Sequence, residues 1–397
     1  MKKSGDILSF GFEPATTSSI KVIGIGGGGG NAVNHMFREG VKGVDFAVCN
    51  TDAQDLRLSP VLEKIQLGAT LTEGRGAGNM PMKGEQAARE SYDEINAGLE
   101  GNTWMVFLTA CLGGGTGTGA TPVIAQLAKE KGILTIAVVT VPSQSEGRKR
   151  YQQAMEGVNK LKRIVDSLLV IDNQKLHDIY GDLPASEAFA KADGILKTAV
   201  KGIAEIITLN GIINIDFADV RSVMADSGTF LMGAGKAAGE DRALKAVNEA
   251  ISSPLLDNFD IRGAKDILLN ITSGDPEITM SEIGQIIDTL QEKAGRKADI
   301  IWGNGTDKSL ENAVAVTIII TGFDTHDQIK LTGMDQESLQ QKKELAHKGN
   351  DKEESNSVVT EELDKQDEKV SSESKSDALI DNWFFRQFNS SFEGTES

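Results

Sequence analysis

Leu112-Gly113-Gly114-Gly115-Thr116-Gly117-Thr118-Gly119-Ala120 follows the apolar run Trp104-Met105-Val106-Phe107-Leu108 and precedes a helix-like segment, Ala120 to Lys131. Strand, glycine loop, helix is how an open α/β sheet builds an anion site. Glycines let the backbone take positive φ and come close to a ligand. Their N–H groups then converge on phosphate oxygens together with the N-terminus of the helix. Thr116 and Thr118 can add hydroxyl donors. A flexible linker would have no periodic apolar elements on either side.

Working upstream, the chain repeats the device. Ile20 to Ile25 reads as a strand, Gly26 to Gly30 as a five-glycine loop and Asn31 to Glu39 as a helix. Gly24, Gly26 and Gly29 satisfy G-x-G-x-x-G, with Asp45 and Asp52 at plausible distances for a ribose partner. Alone, this suggests NAD as readily as GTP. Val44 to Cys49 is the next strand, then Ile65 to Gly68, which leads into a second dense loop, Gly74 to Asn79. Glu85 to Leu99 reads as a helix. At the carboxyl ends of a parallel sheet such loops gather on one edge. Three of them favour a triphosphate over a dinucleotide. No GxxxxGK[ST] and no Asn-Lys-x-Asp occur, so neither a P-loop nor the small-GTPase guanine reader holds the nucleotide.

The GGGTGTG run after a strand resembles the tubulin signature in its bacterial form, and the match continues from about Ile20 to Phe323. On these motifs the chain resembles the FtsZ family, the bacterial tubulin-like cell-division GTPases. The resemblance implies a Rossmann-like parallel-sheet GTP-binding domain joined by a long central helix to a smaller α+β domain, with a disordered C-terminal tail. It implies nucleotide contacts from Gly27, Gly28, Gly29 and Asn31, and from Asn50, Asp52, Ala77, Gly78 and Asn79. It adds Gly113, Gly114, Gly115, Thr116, Gly117, Thr118 and Gly119, then Glu146 toward the ribose, Arg150 and Asn173. Glu146 and Arg150 also read as an i,i+4 ion pair at a helix start. Met80 and Met82 stand where the family usually carries polar residues.

Glu187 to Leu209 places Phe189, Ala192, Leu196, Ala199, Ile203 and Ile206 on one helical face. Gly194 and Gly202 weaken it by roughly 1 kcal/mol each, so packing between two layers must compensate. By resemblance Phe189 stacks on guanine and Asp193 accepts from the guanine N1–H and 2-amino group. Phe189 reads equally as a core anchor. Asn214-x-Asp216-x-x-Asp219 matches the family's catalytic loop, although Asn210 replaces its usual proline. From Phe189 to Leu209 is about 20 residues, roughly 30 Å of helix. Asp216 and Asp219 are then expected at the pole opposite the nucleotide, reaching only a neighbour's in a head-to-tail stack, which does not close and so makes filaments. Helix-capping carboxylates are the plain alternative.

Downstream, the sequence predicts helices at Ala237–Ile251 and Met280–Ala294. It predicts strands at Ile267–Ile271, Asp299–Gly303 and Val314–Thr321. The expected divisions are an arm (1–18), a GTP-binding domain (19–186), a central helix (187–209) and a polymerisation domain (210–326). A disordered linker (327–376) and a partner-docking peptide (377–397) follow, the latter holding Trp383, Phe384, Phe385 and Phe388.

The 397 residues carry 43 glycines, 39% hydrophobic residues and a net charge of −17. The charge argues against nonspecific nucleic-acid binding. No apolar run of about 18 residues and no signal-peptide core occur, which points to a cytoplasmic chain without membrane insertion. Cys49 and Cys111 read as reduced core thiols. The leading reading is a polymerising GTPase using GTP/GDP with Mg2+ and no dedicated metal-ligand cluster. It would act at the septal ring with itself, membrane tethers and other division proteins as partners. A dinucleotide-dependent oxidoreductase rests on the first glycine loop alone. A non-catalytic GTP-binding scaffold leaves Asp216 and Asp219 without work.

Overall fold

The computed structural model describes residues 18–41, 43–174, 194, 198–206, 211–213, 215–253, 256 and 261–323. The arm, most of the central helix and the linker and terminal peptide lie outside the described residues.

Among the described residues of the first half, six strands form: β1 (Ile20–Ile25), β2 (Asp45–Asn50), β3 (Glu63–Gln66), β4 (Met105–Cys111), β5 (Leu134–Val141) and β6 (Ser167–Asp172). Fully buried runs such as LTIAVVTV in β5 suit a sheet covered on both faces. All pair in parallel, and with β8 (Gly228–Thr229) the order is β3-β2-β1-β4-β5-β6-β8. The order reverses between β1 and β4, the point where an open sheet leaves a crevice. The first sheet thus takes its last strand from beyond residue 210, where the sequence places the second domain. The second sheet is mixed and has five strands in the order β7-β11-β10-β12-β9. They are β7 (Gly211–Ile213), β9 (Leu231–Ala238), β10 (Asp266–Ser273), β11 (Asp299–Thr306) and β12 (Ala313–Thr321).

Helices α1 (Gly26–Arg38), α2 (Ala53–Leu58), α3 (Ala69–Thr72), α4 (Pro81–Glu90), α5 (Tyr92–Gly98), α6 (Thr116–Glu130) and α7 (Arg148–Leu161) flank the first sheet. α1 contributes Ala32, Val33 and Met36 to a core on one face. α6 contributes Ala120, Ile124, Ala125, Leu127 and Ala128 to a core on the other. The α1-side core also takes in Ala199, Val200, Ile203 and Ile206 of the helical segment 198–206, and Met232, Leu268 and Ile319 of the second sheet. That segment is therefore buried between two layers, as its glycines require. A Cβ on Gly202 would meet Met232 Cε at 2.5 Å and Thr317 Cγ2 at 3.1 Å. The second domain is completed by α8 (Phe217–Met224), α9 (Arg242–Ile251) and α10 (Met280–Ala294).

Several boundaries differ from the sequence reading, each for a physical reason. The five-glycine run is no loop: α1 starts at Gly26, directly after β1. A Cβ on Gly28 would lie 2.3 Å from Cys111 Sγ, and one on Gly29 2.2 Å from the Thr109 carbonyl oxygen. Contact with β4, which propensity does not see, accounts for the glycines there. α6 likewise begins at Thr116 rather than Ala120. The helix expected over Glu85–Leu99 starts at Pro81 and is broken at Ser91. The Ser91 hydroxyl donates to the Gln66 carbonyl and accepts from Gly68 N–H, which ties the break to the end of β3. β9 is a strand the sequence reading missed, and α9 begins at Arg242, not Ala237. Its LMGAGKAA composition has low strand propensity. Eight register pairs with β12 hold it, and α9 lies so close that a Cβ on Gly235 would be 2.2 Å from the Ala246 carbonyl.

Candidate functional site

The reversal point sets the site. β1 and β4 are neighbours, and the helices that follow them leave to opposite faces of the sheet. Their N-termini nevertheless meet: a Cβ on Gly26 would be 3.0 Å from Gly117 N. Neither α1 nor α6 has a side-chain cap, since Ile25 and Gly115 stand at the N-cap positions. Two sets of unmatched N–H groups and two positive dipole ends therefore converge on one crevice. Such an arrangement binds an anion with more than one phosphate.

The loops close around it. Gly113 takes φ +101°, and its N–H donates to Thr118 Oγ1 at 2.8 Å. Thr118 is buried, so its hydroxyl pins the glycine turn. Thr116 Oγ1 and Thr51 Oγ1 share a hydrogen bond of 2.6 Å across the crevice. The loop through Ala77, Gly78 and Asn79 is stitched to the end of β2: Gly76 N–H donates to the Thr51 carbonyl and Ala53 N–H to that of Gly74. Ala77 Cβ, Asn79 N and Met80 N lie 2.8, 3.3 and 2.9 Å from where Gly115 would carry a Cβ.

The glycines divide into two jobs. Gly115, Gly117 and Gly119 serve packing between segments of the same chain; a Cβ on Gly119 would lie 1.9 Å from the Pro81 carbonyl oxygen. Gly28 and Gly29 pack on β4 as described. Gly114 has nothing within 4 Å of its Cβ position, and Gly27 has only Asp55 Oδ2, at 3.5 Å. Gly27, Gly78, Asn79 and Asn31 are exposed, and Gly114 and Thr116 partly so. These line the opening.

Polar side chains at the strand ends are largely engaged. Asn50 Nδ2 donates to Asp55 Oδ2 at 2.6 Å, and its Oδ1 accepts from Asp52 N–H. Asp52 caps α2 by accepting from the N–H groups of Gln54 and Asp55. Burial, reinforced by the Asp52 charge, pushes the Asp55 carboxyl above its usual range, against the pull of the Asn50 hydrogen bond. Asp45 stands at the opposite end of β2 and cannot serve a ribose here. Glu146 accepts from Ser143 N–H at 3.0 Å, and Arg150 Nη1 lies 3.6 Å from Glu146 Oε2, so the ion pair exists. The Arg150 carbonyl is 3.0 Å from the Gly113 Cβ position, which seats the start of α7 on the glycine turn. Asn173 follows β6, and its buried Oδ1 has no hydrogen-bond partner. Gln153, which sequence reasoning missed, has the same orphaned acceptor three residues after Arg150. Phe189, Asp193 and Asn214 lie outside the described residues.

Asp216 and Asp219 are elsewhere. Asp216 is the N-cap of α8 and accepts from Asp219 N–H at 2.9 Å; Asp219 accepts in turn from Asp216 N–H at 3.2 Å. This is a reciprocal capping box. Each spends one carboxylate oxygen on the cap. Phe217, between them, packs its ring on Trp104 at 5.5 Å. Trp104 immediately precedes β4, whereas the glycine turn follows it. Seven residues of β4 separate those positions, roughly 20 Å at about 3.3 Å per residue. The acidic pair therefore sits at the amino edge of the sheet and the crevice at its carboxyl edge.

The family model described as Tubulin/FtsZ family, GTPase domain matches residues 19–181, and that described as FtsZ family, C-terminal domain matches 228–324. The chain is 47% identical over 320 residues to the cell division protein FtsZ of Coxiella burnetii, covering 79% of this chain and 82% of that protein. The chain belongs to the FtsZ family. It is 46% identical over 315 residues to FtsZ of Caulobacter vibrioides, a match spanning 78% of this chain but only 62% of that relative's length. The FtsZ dimer of M. jannaschii superposes with a TM-score of 0.72 at 44% identity, covering 77% of this chain and 89% of that one. The tubulin-like fold and the cell-division family expected from the motifs are both borne out.

Proposed function

We propose that this chain hydrolyses GTP at a site shared between two copies and assembles head to tail into filaments that form a division ring. The observation that supports it most is the separation of the two halves. An anion crevice opens at one edge of the parallel sheet and an acidic pair lies at the other. One copy cannot bring them together; a second copy stacked along the strand direction can.

In this reading the α1 and α6 N-termini, Gly27, Gly114, Thr116 and the Ala77–Asn79 loop hold the phosphates. Glu146, Arg150 and Asn173 face the sugar side, while Phe189 and Asp193 read guanine, which offers donors that adenine lacks. Asp216 and Asp219 of the adjacent copy, with Asn214, orient a water for in-line attack on the γ-phosphate. Preorganised N–H groups stabilise the charge that develops there. Among the described residues no three His, Cys, Asp or Glu side chains converge as a cage for a metal. Mg2+ would be held mainly by phosphate oxygens and water; the carboxylates standing at this edge are Asp52 and Asp55, already engaged in the α2 cap and the Asn50 hydrogen bond. When bound, Mg2+ would neutralise phosphate charge.

Among the described residues no helix is long and apolar enough to cross a membrane. The peptide 377–397 would recruit membrane tethers and other division proteins to the cytoplasmic septal ring. Specific GTPase activity should rise steeply with protein concentration as filaments form. A flat rate per subunit would rule out the shared site.

A further inference from the structure

Most large apolar side chains among the described residues are buried; Met80, Met82 and Trp104 are among the exposed ones and lie beside the two half-sites. At the carboxyl edge, Met80 is 56% exposed and Met82 67%. Met80 is the N-cap residue of α4, its N–H nitrogen beside Gly115 of the crevice, and Met82 lies in the first turn. At the amino edge, Trp104 is 51% exposed while one part of it packs on Phe217, the residue after Asp216. Leaving such groups in water on both edges forfeits burial that the fold could have provided, so a contact with another surface should recover it.

We propose that Trp104 of one copy docks on the Met80–Met82 rim of the next, and that this apolar contact sets how closely the acidic pair approaches the neighbour's nucleotide. The occupant is a second copy of this chain because the patches lie at opposite ends of the same strands. Each adjoins one half of a site that only stacking completes, so any stack that brings Asp216 to the crevice also brings Trp104 to its rim. The chemistry matches: a thioether lies favourably on an indole, and unbranched Met adapts to an aromatic partner. Trp is also the side chain most often found to dominate interfaces.

This rests on the proposed head-to-tail function, and the test separates the two. Full-length chains carrying Trp104→Ala, Met80→Ser with Met82→Ser, and all three changes are compared by sedimentation with GTP and by GTP affinity below the assembly threshold. Trp104→Ala and the paired Met change should each raise the critical concentration about tenfold, with monomer affinity unchanged. The triple variant should be no worse than either, because all remove one contact. Trp104→Phe should restore most of the assembly. If Trp104→Ala fails to fold, the two exposed Met positions carry the test alone. Unchanged critical concentrations, or effects that multiply fully in the triple variant, overturn the contact. A wild-type chain that binds GTP yet never assembles overturns the shared-site function instead.

Discussion

Asp216 holds a helix with one carboxylate oxygen, and in the proposed function it also serves the neighbour's nucleotide. Its Oδ1 caps α8, and Asn is as good an N-cap as Asp. Asp216→Asn should therefore leave stability within about 0.5 kcal/mol while turnover in filaments falls on the order of 100-fold or more, with GTP binding retained. Thermal melting beside phosphate release checks this; unchanged turnover would leave capping as the residue's whole role. A second residue-scale case lies far from the crevice. Arg242 is buried and donates to both Glu282 carboxylate oxygens and to the carbonyls of Pro276, Glu277 and Asn312. The Arg242 hydrogen bonds, helped by Thr279 N–H, hold the Glu282 carboxyl down to about 2 against the cost of burial. Because the folded value is depressed, the pair's stabilisation is fully present above the ordinary glutamate value near 4.5 and is lost as pH falls toward 2. Solvent screening at this part-exposed carboxylate keeps that contribution modest. Glu282→Gln should lower the urea midpoint at pH 7 and flatten the acid limb between those limits.

Elements explain why the motif glycines are not equivalent. Gly119 lets α6 lie against the first turn of α4, which is continuous with the Ala77–Asn79 loop. Gly119→Ala should overpack that contact and cost about 1–3 kcal/mol. Gly114→Ala meets open space and should leave the melting temperature unchanged while weakening GTP binding. Paired calorimetry and nucleotide titration would separate them, and equal effects on both would refute the division of labour. The strand–glycine–helix order was readable from apolar runs and punctuation. Which glycine serves packing was not, because that depends on a neighbour dozens of residues away. For the same reason local sequence signals place the start of α1 too late and give no strand at β9: contacts with β4, β12 and α9 override weak local propensity there.

The whole molecule is organised by strand direction. Parallel strands all deliver their following loops to one edge, and the return connections lie at the other. Trp104, Phe217 and the capping box occupy that return edge. If filaments complete the site, specific activity should climb with concentration and then plateau once nearly all subunits have neighbours. Adding excess Asp216→Asn subunits to wild type at constant total protein should depress turnover roughly in proportion to their share of the acidic edges, while assembly persists.

By itself the sequence determined most of the elements, the strand–glycine–helix order that suits an anion, and the family. Those follow from periodicity and residue type within short windows. It also carried the distance argument, through the length of the central helix. Only the tertiary structure decided that the α1 and α6 N-termini share one crevice and that the acidic pair lies at the far end of β4. It alone showed that the last strand of the first sheet comes from residue 228 onward. Those are matters of which strands become neighbours, and neighbour choice is settled by long-range burial that no local window contains.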